Sequence, residues 1–113
     1  MYLDLNKDLT PEQIALKEQT HRFAAEVLRP ASIKLDRMDP EAVIAPGSVL
    51  WDVFRTYYQQ GFHLAQFPEA LGGANLGPLD MHIVIEETAW GSSDFGVGLA
   101  VASFPFVYAA QFA

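Results

Sequence analysis

The sequence has 113 residues, half of them apolar, which is enough for one globular domain with a modest core. Its formal net charge is −7 and all seven Lys and Arg residues precede Thr56, so the surface would repel nucleic acid and anionic lipid headgroups. Because cysteine is absent, a disulfide framework, a thiolate metal site and a cysteine nucleophile are excluded.

The first residues, Met1 to Asp8, show none of the basic, apolar and small-residue order that marks a signal peptide. No transit peptide is evident either. The lack of cysteine suits a reducing compartment. We therefore expect a cytoplasmic protein, or one of the mitochondrial matrix if the source is eukaryotic.

The first half of the sequence begins with a clear helix start. Thr10 can cap the helix, Pro11 suits its first position, and Gln13 completes a capping box. Apolar residues then follow at helical spacing as far as Leu28. The Arg29–Pro30 pair predicts a break or kink, after which a second helix runs to about residue 37.

Further helices follow, and no segment alternates long enough to predict a strand. Ser48 should cap a third helix, which Gly61 ends in a left-handed conformation. After a Gly-rich loop we expect three more helices, over residues 79–90, over residues 94–104, and from Pro105 onward. The sequence therefore predicts a single all-α domain, 1–113, built as a bundle of five to six helices.

The residues after Asp94 carry no charge, and this apolar run reaches Ala113 without a polar tail. A membrane span is disfavoured because the run contains glycines and Pro105 and has no flanking Lys or Arg. Exposed apolar surface of this size usually has a partner. We expect the run to be an internal wall whose opposite face lies on missing or separate polypeptide, so that the fold is incomplete at its C-terminus.

Several residue groups could suggest catalysis or metal binding, and none is specific. Glu86 and Glu87 are adjacent on a helix and point about 100° apart, so they cannot share one reacting atom. We expect one to be solvated and the other to form an ion pair. His82 and Glu86 could face the same ion, but two ligands do not make a metal site. We assign no catalytic residue, no metal ligand and no cofactor-binding residue to this sequence.

Small residues mark one face of the helix that begins at Asp94. Gly96, Ala100 and Ser103 recur at helical spacing and leave little side-chain volume. Such a face lets another helix, or a slender apolar ligand, come close to the backbone. The pattern alone favours neither alternative.

The order of these features resembles the N-terminal helical domain of the acyl-CoA dehydrogenase family, over about Leu9 to Phe112. The resemblance rests on five segments at characteristic separations: Leu9–Gln13, Arg22–Asp36 with its Arg29–Pro30, Leu50–Trp51 with Gln60–Phe62, Phe67–Gly73, and Glu86–Gly91. Two departures are the long stretch from Met38 to Ser48 and Leu71, where many relatives have an aromatic residue.

This resemblance implies an FAD-dependent enzyme that oxidises an acyl-CoA thioester to a trans-2-enoyl-CoA. A glutamate takes the α-proton while the β-hydrogen passes to the flavin, and an electron-transfer flavoprotein accepts the electrons. The resemblance places the flavin on a β-domain and the glutamate that acts as the base on a C-terminal helical domain. Neither domain is in this sequence. It also implies an oligomer, a homotetramer, and predicts that this chain alone is inactive.

By the same resemblance, the helix from Asp94 lines the acyl pocket. The residues expected to contact the acyl group are Phe95, Gly96, Leu99, Ala100 and Ser103. Two other interpretations stay open. The chain could be a non-catalytic helical subunit that pairs with a flavin-binding subunit, or a free-standing interaction module that packs its apolar C-terminal helices on a partner.

Overall fold

The computed structural model describes residues 8–112, apart from the side chains of residues 104, 106, 110 and 111. This part of the chain is helical and contains no strand, which confirms the all-α prediction. The helices are α1 (Pro11–Phe23), a π-helical turn (Ala24–Leu28), α2 (Arg29–Asp36), α3 (Pro40–Ile44), α4 (Val49–Gln59), α5 (Pro78–Gly91) and α6 (Ser93–Gln111), with 3₁₀ turns at Phe62–Leu64 and Glu69–Leu71.

The helix ends follow the local sequence closely. Thr10 Oγ1 accepts a hydrogen bond from the backbone of Gln13, and the Gln13 side chain accepts one from the backbone of Thr10. The Ser48 hydroxyl accepts a hydrogen bond from the backbone N–H of Leu50 and caps α4, and the Ser92 hydroxyl accepts one from Phe95 and caps α6. Gly61 has a φ of 79°, a left-handed conformation that ends α4 without steric cost. The helix ends predicted at Thr10, Ser48 and Gly61 are confirmed.

The Arg29–Pro30 pair does not end the first helix. The Arg29 N–H donates to the carbonyl of Ala24, five residues earlier, so the helix widens into a π-helical turn just before Pro30. The chain then continues as α2. The widened turn lies against α5, because a Cβ added to Gly91 would be 2.7 Å from Ala24 Cβ.

The prediction of a separate sixth helix at Pro105 is wrong. Helix α6 runs from Ser93 to Gln111 with Pro105 inside it. Pro105 cannot donate to the carbonyl four residues earlier, that of Val101. Both residues are exposed, so water can satisfy this carbonyl and the helix continues through the proline. The short helix α3 was also not predicted; it lies within the long stretch from Met38 to Ser48.

Helix α5 is central to the packing because it lies against α1 on one side and α6 on the other. Its buried residues are Ile83, Val84, Glu87, Thr88 and Gly91. The helix is not buried all round, since Leu79 is 51% exposed and Trp90 is 46% exposed. The core continues through Phe23, Leu28, Val53, Tyr57, Phe62, Phe95 and Leu99.

Candidate functional site

The two glycines near the start of α6 have different surroundings. A Cβ added to Gly96 would lie 2.8 Å from the Cα of Ala89 on α5, closer than packed atoms approach. An added Cβ on Gly98 would meet no atom within 4 Å. Gly96 therefore allows the backbones of α5 and α6 to come together, as the helix-packing alternative requires, whereas Gly98 does not take part in this contact.

A narrow, partly open cleft lies beside this contact, and we call it the α5–α6 cleft. Its volume is about 40 Å³. Four of the five residues expected to contact an acyl group line it, namely Gly96, Leu99, Ala100 and Ser103. The other lining residues are Tyr57, Gln66, Met81, Val84, Ile85 and Thr88. The cleft is therefore largely apolar and is formed by α4, α5, α6 and the loop after α4.

The fifth predicted residue, Phe95, does not line this cleft. Its side chain is buried in the core and faces a separate cavity that Leu35, Val43 and Leu50 also line. Leu99 is buried too, at 3% exposed, and borders both spaces. Among the predicted residues, Ala100 and Ser103 combine partial exposure with a place in the cleft.

A hydrogen-bonded pair in the lining of the cleft connects α4 to α6. The Tyr57 hydroxyl lies 3.0 Å from Ser103 Oγ, and Ser103 Oγ donates to the carbonyl of Leu99 at 2.9 Å. Burial raises the pKa of Tyr57 above its usual 10.0; the hydrogen bond with Ser103 lowers this pKa and nearby Tyr58 raises it further. The pair is therefore uncharged at neutral pH, in keeping with an apolar cleft.

The Tyr57–Ser103 pair also borders a second space, which we call the aromatic cavity. Its volume is about 210 Å³. Its lining residues are Phe54, Tyr57, Tyr58, His63, Leu64, Phe67, Leu99, Ala102 and Ser103. The sequence carries no signal for this cavity, because its lining residues come from α4, the loop after α4 and α6 and meet only in the folded chain. Tyr57 is buried, whereas Tyr58 is 50% exposed.

One face of α6 is covered by no other part of the described chain. Val97, Val101, Tyr108 and Phe112 recur along this face and are 56–87% exposed. Within residues 8–112, no helix is both long enough and apolar enough to cross a bilayer. The apolar run is therefore only half shielded, because its inner face packs on this chain while its outer face is open.

The adjacent glutamates have the separate roles expected of them. Glu87 is buried, with Oε2 2.7 Å from His21 Nδ1 and Oε1 4.0 Å from Lys17 Nζ. Glu86 points outward, with Oε2 3.8 Å from His82 Nε2. Among the described residues, no three His, Asp or Glu side chains come together as a metal site would require.

Comparison with known proteins identifies the family. The sequence profile described as "Acyl-CoA dehydrogenase, N-terminal domain" matches residues 10–111. Benzylmalonyl-CoA dehydrogenase from Aromatoleum aromaticum is 31% identical over 96 residues, which cover 85% of this chain and 23% of that protein. No solved structure matches the chain. The matched region of this relative is thus less than a quarter of its length. Because the profile covers nearly the whole chain, the protein belongs to the acyl-CoA dehydrogenase family and contains that family's N-terminal domain.

Proposed function

We propose that this chain forms one wall of the acyl-binding pocket in an FAD-dependent acyl-CoA dehydrogenase. The complete enzyme would convert an acyl-CoA thioester to the trans-2-enoyl-CoA. The observation that carries the proposal is the α5–α6 cleft, an apolar opening lined by Gly96, Leu99, Ala100 and Ser103 on a chain of this family. The name of the similar protein from A. aromaticum supports the same reaction type, dehydrogenation of a CoA thioester.

The cleft would contribute to the reaction by positioning the substrate. Apolar walls take up the hydrocarbon part of an acyl group and exclude water from it. Excluding water strengthens electrostatic interactions at the neighbouring thioester, and a fixed chain orients the α and β carbons. The uncharged Tyr57–Ser103 pair keeps charge away from the hydrocarbon. We propose Gly96, Leu99, Ala100 and Ser103 as direct acyl contacts, and Phe95 as a core residue that supports them.

The residues present do not fit an FAD molecule on their own. FAD carries a pyrophosphate, which needs cationic side chains or free backbone N–H groups. All residues that line the cleft lie after Arg55. This part of the chain has no Lys or Arg and carries five acidic residues. We therefore propose that a β-domain and a C-terminal helical domain, outside these 113 residues, hold the FAD and the catalytic base.

Further parts of the proposal concern the assembled enzyme. The uncovered face of α6, which includes Val97 and Val101, supports a contact with the C-terminal domain or with a flavin-binding subunit. We propose an oligomeric enzyme, a homotetramer as in the family, that passes electrons to an electron-transfer flavoprotein and works in the cytoplasm or mitochondrial matrix.

The same exposed face supports a second candidate function. A non-catalytic helical subunit would also need an apolar surface to pack against its partner, and the face from Val97 to Phe112 provides one. The two candidates differ in what happens at the cleft. A dehydrogenase would place an acyl group there, whereas a subunit of purely structural function would not.

The test is the substitution Ala100→Phe in the assembled, flavin-containing enzyme. Ala100 is half-buried in the cleft, so a phenyl ring there would occupy the space meant for the acyl group. We expect kcat/KM to fall roughly tenfold or more for long acyl-CoA thioesters and little for short ones. Ala42→Phe, on the exposed surface of α3, is the control. An equal loss at every chain length would contradict the proposal.

A further inference from the structure

We propose that the aromatic cavity is a subsite for a neutral aromatic ring at the far end of the acyl group. The inference rests on the proposed function and adds a substrate class to it. The cavity is lined by the rings of Phe54, Tyr57, Tyr58 and Phe67, with the imidazole of His63 among them. It lies next to the α5–α6 cleft, where the chain of an acyl group would run.

The size of the cavity matches a single ring. Its volume is about 210 Å³, and an apolar protein cavity of about 150 Å³ on a comparable scale binds benzene. The α5–α6 cleft has a volume of about 40 Å³, which is too small for a ring. A linear chain could end in the cleft, whereas a ring would need the larger space.

The walls of the cavity favour a ring over an alkyl end of equal area. Aromatic rings gain additional stabilisation from edge-to-face and offset contacts. The walls already meet in this manner, since Tyr58 lies edge-on to His63 with centroids 4.6 Å apart and edge-on to Tyr57 at 5.9 Å. An incoming ring would extend this arrangement. No Lys, Arg, Asp or Glu is among the lining residues of the described chain, so a ring bearing a charge would be disfavoured.

The cleft and the cavity share a boundary of three residues, Tyr57, Leu99 and Ser103. Leu99 is buried, and Tyr57 is fixed by its hydrogen bond to Ser103. Ser103 is only half-buried. Ser103 lies one helical turn beyond Leu99 and is the most exposed of the three, so an acyl chain that reaches the cavity would pass over it. An acyl chain that follows α6 past Ala100 would deliver its terminal group to the aromatic cavity.

The experiment compares ω-phenylalkanoyl-CoA thioesters of increasing spacer length with unsubstituted thioesters of the same spacer, using the assembled flavoenzyme. At the spacer that reaches the cavity, we expect kcat/KM for the phenyl compound to exceed that of its counterpart roughly tenfold or more, because a whole ring is buried. A terminal carboxyphenyl group should remove this advantage.

The variant Ala102→Leu tests the location. Ala102 lines the aromatic cavity but not the cleft, and it is exposed on a helix, where leucine is well tolerated. The variant should lower the ratio of kcat/KM for phenyl over unsubstituted thioesters by about tenfold. Ala42→Leu on α3 should leave this ratio unchanged.

The outcomes separate the two proposals. If the enzyme oxidises unsubstituted thioesters but shows no phenyl preference at any spacer, the aromatic subsite is wrong and the proposed function stands. A crystal structure of the assembled enzyme would also overturn the subsite if it showed a side chain of another domain in the cavity. If the enzyme oxidises no acyl-CoA at all, both proposals fail.

Discussion

Glu87 Oε2 on α5 lies 2.7 Å from Nδ1 of His21 on α1, and the Glu87 side chain is almost fully buried. A carboxylate can only accept a hydrogen bond, so Nδ1 carries the proton in this contact. The contact joins the central helix to the first helix, 66 positions apart in the sequence. His21 also packs against the ring of Trp90, with ring centroids 4.3 Å apart.

Replacing Glu87 should therefore destabilise the domain. Glu87→Gln keeps the size of the side chain but removes the charge that attracts His21 and Lys17. We expect the free energy of unfolding, measured by urea titration, to fall by roughly 1–3 kcal/mol. Glu86→Gln is the matched control, because the neighbouring side chain is 42% exposed, and its effect should stay within about 0.5 kcal/mol. Equal losses from the two variants would contradict a structural role specific to Glu87.

The two glycines of α6 provide a test of helix packing with opposite expected signs. Gly96→Ala places a methyl group 2.8 Å from the Cα of Ala89, so α5 and α6 must separate, and we expect a loss of roughly 1–3 kcal/mol. Gly98→Ala places its methyl group in open space and replaces a flexible glycine within a helix. That change should stabilise the protein by about 0.5–1 kcal/mol. Thermal and urea unfolding of both variants would show whether the signs differ, and stabilisation by both would disprove the close contact.

Tyr57 predicts a dependence of stability on alkaline pH. Its folded-state pKa is raised above 10.0, chiefly by burial, so the folded protein holds the phenol proton more tightly than the unfolded chain does. The resulting stability is fully present below pH 10 and is lost as the pH rises through the folded-state pKa. Between pH 10 and the folded-state pKa of Tyr57, the free energy of unfolding should fall less steeply with pH in Tyr57→Phe than in the wild type. Tyr108→Phe, at an exposed position, should keep the wild-type slope, and identical slopes in all three proteins would refute the prediction.

The helix boundaries that depend on local chemistry could be predicted from the sequence. Thr10, Ser48, Gly61 and Ser92 all act within one turn of their own position, so a single sequence contains the necessary information. Pro105 was misinterpreted because the effect of a proline depends on whether its neighbours are solvated, and both Pro105 and Val101, whose carbonyl loses its helical donor, are exposed.

The site was predictable in outline but not in detail. The small residues of α6 indicated a close approach, yet only the position of Ala89 on α5 shows that Gly96 makes it and Gly98 does not. Periodicity also gave no means to separate Phe95, which is buried in the core, from Ala100, which lines the cleft. Both distinctions depend on which face of α6 meets its neighbour, a tertiary property.

The central claim is that this chain works as the acyl-binding wall of a flavoenzyme, and anaerobic titration with an acyl-CoA tests it most directly. The protein would be purified from its source with every polypeptide that accompanies the chain, and its flavin absorbance would be followed as the thioester is added. We predict a yellow protein whose flavin band bleaches as acyl-CoA is added and enoyl-CoA forms. A colourless protein, or a flavin band that no acyl-CoA bleaches, would contradict the claim.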